Sequence, residues 1–299
     1  MRSPAPINPN IKLPVLQNGA SMSNLIYSTA LREKSLPISI EFALRAGYGG
    51  IDTACSRGLH DEVADGRALS SVLDAENGPE RSSLWIQTKY VSPISQASPW
   101  PYRVEDEIRL QVFASVLRSC TDLSVSFLDC LFLSNPMSSI ERSLEVWKAM
   151  EEIVYQGGVR YLGIGHPRIR VLVELQTRTT VKPQFVQIRY DLLNEDGGAL
   201  RRFCKDNSVV VQVYGILWLQ NRHLLQAEVV KALGDEMQIS VETALFGLII
   251  AEALDVGFIL CIIDGARQKS HISENVSAVT LASELPQAMV HAFSRILQG

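Results

Sequence analysis

No run of Lys or Arg in this chain exceeds two residues, and the formal net charge is only -4. Without a basic tract or a basic surplus there is no electrostatic hold on a phosphate backbone or an acidic membrane, so neither nucleic acid nor membrane is an expected partner. The cysteines, Cys55, Cys120, Cys130, Cys204 and Cys261, are odd in number and lack both a CxxC pair and a Cys–His spacing. That argues against a disulfide framework and against a metal site, and it points to a reducing, cytoplasmic setting. A membrane-length apolar run is missing too. The longest, Val241 to Val256, is interrupted by Glu242, Glu252 and Asp255 and reads as a core helix. Met1 to Asn10 is rich in Pro and Asn with no apolar centre, unlike a secretory signal or a transit peptide. No low-complexity linker divides the chain, and no Gly-rich phosphate loop follows its first strand.

What is present is an alternation of strand and helix patterns along 299 residues. Leu13 to Ala20 reads as an opening strand or short hairpin. Ser35-Leu36-Pro37 reads as a cap with Pro at the start of a helix that runs to Ala46 and stops at Gly47. Strands are expected at Ile51–Ala54, Leu84–Lys89, Phe127–Leu133, Val159–Ile164, Phe185–Ile188, Val209–Tyr214 and Phe258–Ile263. Between them, Asp61–Leu73, Val104–Leu123, Ser139–Tyr155, Ile169–Gln176, Gly198–Asn207 and Val241–Val256 read as helices. In the third of these, Ile140, Leu144, Trp147, Met150 and Val154 fall on one face. Phe127–Leu133 is almost continuously apolar, as in a strand buried on both faces of a parallel sheet. About eight such strands in one domain predict a closed (β/α)8 barrel over residues 12–299, preceded by a tail at 1–11.

In a barrel of this kind, sites form where strands end at the C-terminal face. The positions to interrogate are therefore Asp52 and its loop, Lys89, Ser134-Asn135, Gly165-His166, Gln187, Tyr214 and Asp264-Gly265.

The stretch Ile51-Asp52-Thr53-Ala54, followed by Gly58, Glu62 and Gly66-Arg67-Ala68-Leu69, resembles the opening signature of the aldo-keto reductases. So do the strand ending Thr88-Lys89, the strand Phe127–Leu133, the segment Gly158-Val159-Arg160-Tyr161-Leu162-Gly163, and Glu274-Asn275. The resemblance covers roughly residues 12 to 280, with the sugar-dehydrogenase branch acting on D-arabinose or L-galactose type sugars the most similar in pattern. It implies hydride transfer between a nicotinamide and a carbonyl, with a Tyr as general acid, a Lys paired to an Asp, and a His orienting the carbonyl.

Residue by residue, Asp52 and Lys89 match, but the Tyr position reads Arg57 and the His position reads Ser134. An alternative placement of the loop puts Leu59 or His60 where the Tyr belongs. Arg stays protonated, so it stabilises an oxyanion without donating a proton. His60 is a candidate acid, although a lone loop His is commonly a solvated surface residue. Cys55 reads either as a nucleophile or as a buried apolar filler.

On the cofactor side the resemblance assigns Gln187, Tyr214, Arg267, Glu274 and Asn275 to NAD(P). Gly165-His166 stands where a Ser-Asn pair is usual, and Asp264 puts a carboxylate where a pyrophosphate would approach unless it points away. NAD(P) binding is thus left open.

Three readings follow. The one placed first is a non-redox acid–base step (dehydration, isomerisation or cyclisation) on a small oxygenated, natural-product-like molecule, with Asp52, Arg57, Lys89 and Ser134 as the polar cluster. The others are an NAD(P)-dependent reductase or dehydrogenase with a substituted acid, and a non-catalytic barrel binding a ligand or partner.

Overall fold

The computed structural model describes residues 22–30, 38–56, 58–95, 99–193 and 198–298. Its strands are β1 (Leu25–Ser28), β2 (Gly50–Asp52), β3 (Trp85–Tyr90), β4 (Leu128–Leu133), β5 (Val159–Gly165), β6 (Phe185–Arg189), β7 (Val210–Tyr214) and β8 (Leu260–Asp264). Each pairs in parallel with the next, and β8 returns to β1, closing a barrel. The helices are α1 (Ile38–Ala46), α2 (Glu62–Leu73), α3 (Ile108–Leu123), α4 (Ile140–Tyr155), α5 (Ile169–Arg178), α6 (Ala199–Asp206), α7 (Arg222–Leu225), α8 (Glu228–Met237), α9 (Val241–Asp255), α10 (Lys269–Ala282) and α11 (Gln287–Gln298).

The expected (β/α)8 architecture is therefore the observed one, with corrections at its edges. The strand that opens the barrel is β1, whose four residues are too short to show a period; Leu13–Ala20, the tail at 1–11 and the cap Ser35-Leu36-Pro37 lie outside the described residues. The third helix starts at Ile108, not Val104. Helices α7, α8 and α11 were not anticipated.

Among the described residues no single helix is long and apolar enough to cross a membrane. Helix α9, the longest apolar run, is buried over most of its length and packs between its neighbours.

Period-two alternation sorts the strand residues into two cores. One face of each strand meets the surrounding helices. The other fills the barrel in layers, as parallel barrels require. The lowest layer is apolar and includes Ile26, Trp85, Cys130, Phe132, Phe185, Val210 and Cys261. Trp85 stacks on Tyr161 at 5.5 Å between ring centroids and leans on Phe185 at 5.1 Å. Gly163 is required here, because a Cβ at that position would lie 2.4 Å from the Phe132 ring.

Two residues further along the same faces come Gln87, Gln187 and Gln212, and two further still Lys89, Arg189 and Tyr214, with Ser134 just past the end of β4. Register fixes their heights: Asp52 is level with Ser28 and Gln87, and Gln187 with Gln212.

At the opposite end a charge cluster ties β3, β4 and β5 together. Asp129 is 2% exposed and accepts from Arg81 (2.8 Å), from Arg160 (3.0 Å) and from the Ile86 amide (2.9 Å). The two guanidinium groups lie over the Phe127 ring, each 4.1 Å from its centroid. Removing the carboxylate leaves two cations facing each other and an amide without its partner. Asp129→Ala is accordingly expected to destabilise the fold by about 2–4 kcal/mol, read as a lowered urea midpoint with an unchanged m-value.

Candidate active site

Asp52 is the last residue of β2 and is 4% exposed. Its Oδ1 accepts from Lys89 Nζ at 2.6 Å, from Gln87 Nε2 at 2.7 Å and from Gln187 Nε2 at 3.0 Å. Gln87 and Gln212 bond reciprocally, and Gln187 donates to Gln212 Oε1 as well as to Asp52. Trp85 Nε1 and Gln212 Nε2 donate to Gln87 Oε1, so the Gln87 amide nitrogen is left to donate toward Asp52 and Gln212 Oε1. Burial by itself pushes the Asp52 carboxyl up, but the Lys89 ammonium and the donors from Lys89 and Gln87 outweigh it and hold the group below its ordinary value. Lys89 Nζ also donates to the Thr53 carbonyl at 2.9 Å. An ammonium carries three donors, and the third has no partner among the described residues.

Beside this pair lies a second buried network that joins the ends of β1 and β2 to α2. Asp65 Oδ2 accepts from Thr29 Oγ1 at 2.8 Å and from Thr53 Oγ1 at 2.7 Å, and Thr29 Oγ1 lies 3.0 Å from His60 Nδ1. His60, expected to be solvated, is only 8% exposed. Burial and the neighbouring Lys89 charge lower its pKa to about 3 against the opposing pull of Asp52, so the ring is neutral through physiological pH. Burial raises the Asp65 carboxyl to about 7, with Glu62 and Asp61 adding to the rise and the two threonine hydroxyls opposing it.

One turn away, Glu62 accepts from Thr88 Oγ1 (2.5 Å) and Ser119 Oγ (2.8 Å) and is likewise raised by burial. Cys55 donates to the Lys89 carbonyl and accepts from Ser115; burial lifts its thiol to about 11, which suits a packed filler and not a nucleophile.

Ser134 and Asn135 follow β4 and are partly buried, with Asn135 Nδ2 donating to Ser134 Oγ at 3.3 Å. After β5, His166 adopts a left-handed backbone (φ 48°), and its Nε2 lies 2.8 Å from the Tyr214 hydroxyl. The Tyr214 ring meets His166 and Trp218 edge-on at 5.6 and 5.7 Å. Arg57 lies outside the described residues.

A barrel whose second strand ends in a buried Asp, ion-paired to a Lys on the third, is the arrangement that the motif resemblance implied, and comparison with known proteins agrees. The Aldo/keto reductase family model matches residues 16–243. The chain belongs to the aldo/keto reductase family, a family of enzymes. It is similar to the NAD/NADP-dependent indole-3-acetaldehyde reductase of Schizosaccharomyces pombe, 27% identical over 210 residues that cover 69% of this chain and 66% of that relative. It is also similar to the glycerol 2-dehydrogenase (NADP(+)) of Hypocrea jecorina, 28% identical over 204 residues covering 60% and 59%. The matched stretch therefore spans less than two thirds of either relative's length. In fold, the chain superposes on an aldo-keto reductase from a deep-sea metagenome library with a TM-score of 0.76 at 18% identity, covering 95% of both chains. An aldo-keto reductase solved with NADPH gives 0.71 at 24% identity, covering 92% and 88%.

The aldo/keto reductase frame directs attention to the residues that the resemblance assigned to a dinucleotide. Asp264 is turned inward, 6% exposed, accepting from the Tyr48 hydroxyl, from Asn275 Nδ2 (3.0 Å) and from the Ala266 amide (3.1 Å). Its carboxylate is thereby kept from the loop that a pyrophosphate would meet. Asn275 is 3% exposed and also accepts from Thr243, so both ends of its amide are engaged inside the protein; Glu274 accepts from the Ser240 amide at the start of α9. Gln187, too, turns its amide into the polar layer.

What the loop offers a phosphate is different: Arg267, exposed and donating to the Ala30 carbonyl, and the first turn of α10, whose N-cap residue Gln268 supplies no capping bond. A Cβ at Gly265 would meet nothing nearer than 3.9 Å. A dinucleotide thus fits at its phosphates, where the helix N-terminus and Arg267 favour an anion, more than at the amide positions.

Thr29, Asp65, Gln87 and Gln212 were missed by sequence reading, which picked out Gln187 alone of the glutamine layer. The only signal was the alternation of Gln87, Gln187 and Gln212 with apolar neighbours on their strands. Lys89→Met leaves Asp52 buried without its cation, and is expected to cost about 2–4 kcal/mol at pH 7. The sign with pH follows from Asp52: depressed in the wild type, its carboxyl rises once the ammonium is gone, so the variant takes up a proton first on acidification. The stability gap is expected to narrow as pH falls from 7 toward 4, as measured by urea unfolding at each pH.

Proposed function

We propose that this chain is a nicotinamide-dependent reductase of small aldehydes, ketones or sugar carbonyls, in which Lys89 stabilises the charge that develops on the substrate oxygen. The observation that carries the reading is the geometry of that ammonium. It is 11% exposed, fixed by Asp52 and the Thr53 carbonyl, and keeps one N–H without a partner among the described residues. A preorganised cation in a partly desolvated site interacts far more strongly with a forming oxyanion than it would in water. Ser134, close by on the next strand, offers a hydroxyl to the same substrate.

A reduced nicotinamide dinucleotide, when bound, supplies the hydride. Arg267 and the first turn of α10 would hold its phosphates, and Tyr214 would border its ring. The five free cysteines suit a reducing compartment such as the cytoplasm.

The non-redox reaction placed first on sequence grounds gives way here. It rested on the loss of the Tyr and His with the Asp52–Lys89 pair retained, whereas similar proteins carry names of NAD- and NADP-dependent reductases and dehydrogenases. A barrel that binds a ligand without reducing it is the second reading, favoured by one observation: the amides of Gln187 and Asn275 are engaged within the protein.

Thermal-shift titration with NADPH and NADH, followed by turnover assays on aldehydes, ketones and sugars, separates the two. Expected are a saturable rise in Tm with one nucleotide, turnover that depends on it, and a kcat about 100-fold lower or more in Lys89→Met. No shift with millimolar NADPH or NADH, and no turnover, would overturn the reductase reading.

A further inference from the structure

We infer that His60 is the catalytic proton donor and acceptor of this site, and that Asp65, acting through the Thr29 hydroxyl, is the positioning residue that sets which nitrogen of His60 carries the proton. The inference rests on the reductase reading for its substrate and on the Asp65–Thr29–His60 chain for its geometry.

Thr29 has one proton to give and lies between two partners, Asp65 Oδ2 at 2.8 Å and His60 Nδ1 at 3.0 Å. That single proton makes the two ends of the chain interdependent. When Asp65 is ionised, the Thr29 and Thr53 hydroxyls both donate to it, so Thr29 Oγ1 accepts from His60 Nδ1–H and Nε2 is left a bare acceptor. When Asp65 is protonated, its O–H donates to Thr29 and the Thr29 hydroxyl donates to His60 Nδ1, so the ring proton sits on Nε2. Nε2 has no partner among the described residues, and Thr53, whose hydroxyl donates to Asp65, gives its carbonyl to Lys89 Nζ at 2.9 Å, which joins the chain to the ammonium.

The groups that bear on the switch are few. Lys89 and Asp52 act on His60, while Glu62 and Asp61, from the same helix, act on Asp65 together with the two threonine hydroxyls. Burial brings the Asp65 carboxyl to about 7 while keeping the imidazole from protonating above about pH 3. The tautomer of His60 therefore changes near neutrality without the ring ever becoming a cation.

The step balances. As the carbonyl oxygen gains negative charge beside Lys89, it takes the Nε2 proton; Nδ1 takes the Thr29 proton, and Thr29 takes that of Asp65. The carbonyl has then gained a hydride, from a reduced nicotinamide dinucleotide, and one proton, giving the alcohol. Asp65 is left as a carboxylate, to be reloaded from solvent. Oxidation of the alcohol runs the same chain backwards from ionised Asp65.

The test needs no cofactor. In protein labelled with 15N-histidine, the His60 ring resonances, identified by their loss in His60→Gln, are followed from pH 5 to pH 9. The expected result is a neutral ring whose proton moves from Nε2 to Nδ1 with a midpoint near pH 7. In Asp65→Asn, where the amide NH2 donates to Thr29 at every pH, the proton is expected to stay on Nε2. Thr29→Val is expected to abolish the pH dependence and Thr29→Ser to keep it, which guards against a variant that merely loosens the loop.

A His60 tautomer that does not change over this range in the wild type, or that changes identically in Asp65→Asn, would overturn the inference. With a turned-over carbonyl and NADPH, His60→Gln is expected to lower kcat about 100-fold or more, and Asp65→Asn to flatten the pH profile of the reductive direction. If the nucleotide proves not to bind, the reductase reading fails while the resonances still decide the relay.

Discussion

The contact between Lys89 and one oxygen of Asp52 sets the terms for everything at the top of this barrel. A carboxylate almost wholly removed from water is costly to keep ionised unless a cation and several donors meet it. Here the cation comes from β3 and two amide donors come from β3 and β6, so three strands must hold their register for one charge to persist. In the glutamine layer the Gln87 and Gln187 nitrogens donate to Asp52 and to Gln212 Oε1, while Gln87 Oε1 accepts from Trp85 and Gln212. That layer separates the apolar lower barrel from the charged rim. It lets a hydrocarbon core sit one residue pair beneath a site intended for polar chemistry.

How much of this was legible beforehand depended on the kind of signal. Barrel strands announce themselves by apolar runs, and the pairing of Asp52 with Lys89 followed from the aldo-keto reductase resemblance at the two strand ends. β1 escaped because Leu-Ile-Tyr-Ser is too short for a period to register. Asp65 escaped for a different reason. Acidic residues in the first turn of a helix are ordinary complements of its dipole, and Asp61 does cap the Ala64 amide in that way. Nothing in the sequence says that Asp65, one turn on, faces inward to two threonines from neighbouring strands. His60 looked like a loop histidine for the same reason: its partner, Thr29, is 31 residues distant, on a different strand end.

The cofactor side shows how a motif match and a role come apart. Asp264 looked like an obstacle to a phosphate, yet its carboxylate is buried against Tyr48 and Asn275. Asn275 matches the family pattern by position, yet its amide ties β8 to α9 through Asp264 and Thr243. One change explains the other: an inward-facing carboxylate at position 264 needs donors, and the nearest amide on α10 meets that need. A buried carboxylate at the end of β8 thus holds the Asn275 amide in the core.

The rim chemistry can be argued from the field of a single charge. A histidine serving as a conventional acid must become an imidazolium, but out of water and in the field of the Lys89 ammonium that cation is disfavoured. A free imidazolium beside Lys89 would therefore be a short-lived and costly species. The same ammonium that stabilises a forming alkoxide excludes a second cation from its neighbourhood. Proton delivery at such a place has to be neutral at every point along the way. A ring that gives a proton from one nitrogen while receiving one at the other satisfies that condition, provided a neutral acid stands behind it. Asp65, buried in α2, supplies such an acid for the same reason that Asp52 does not: it has hydroxyl donors and no cation of its own. Two aspartates thirteen residues apart are thus shifted in opposite directions, Asp52 downward by a lysine and its donors and Asp65 upward by burial.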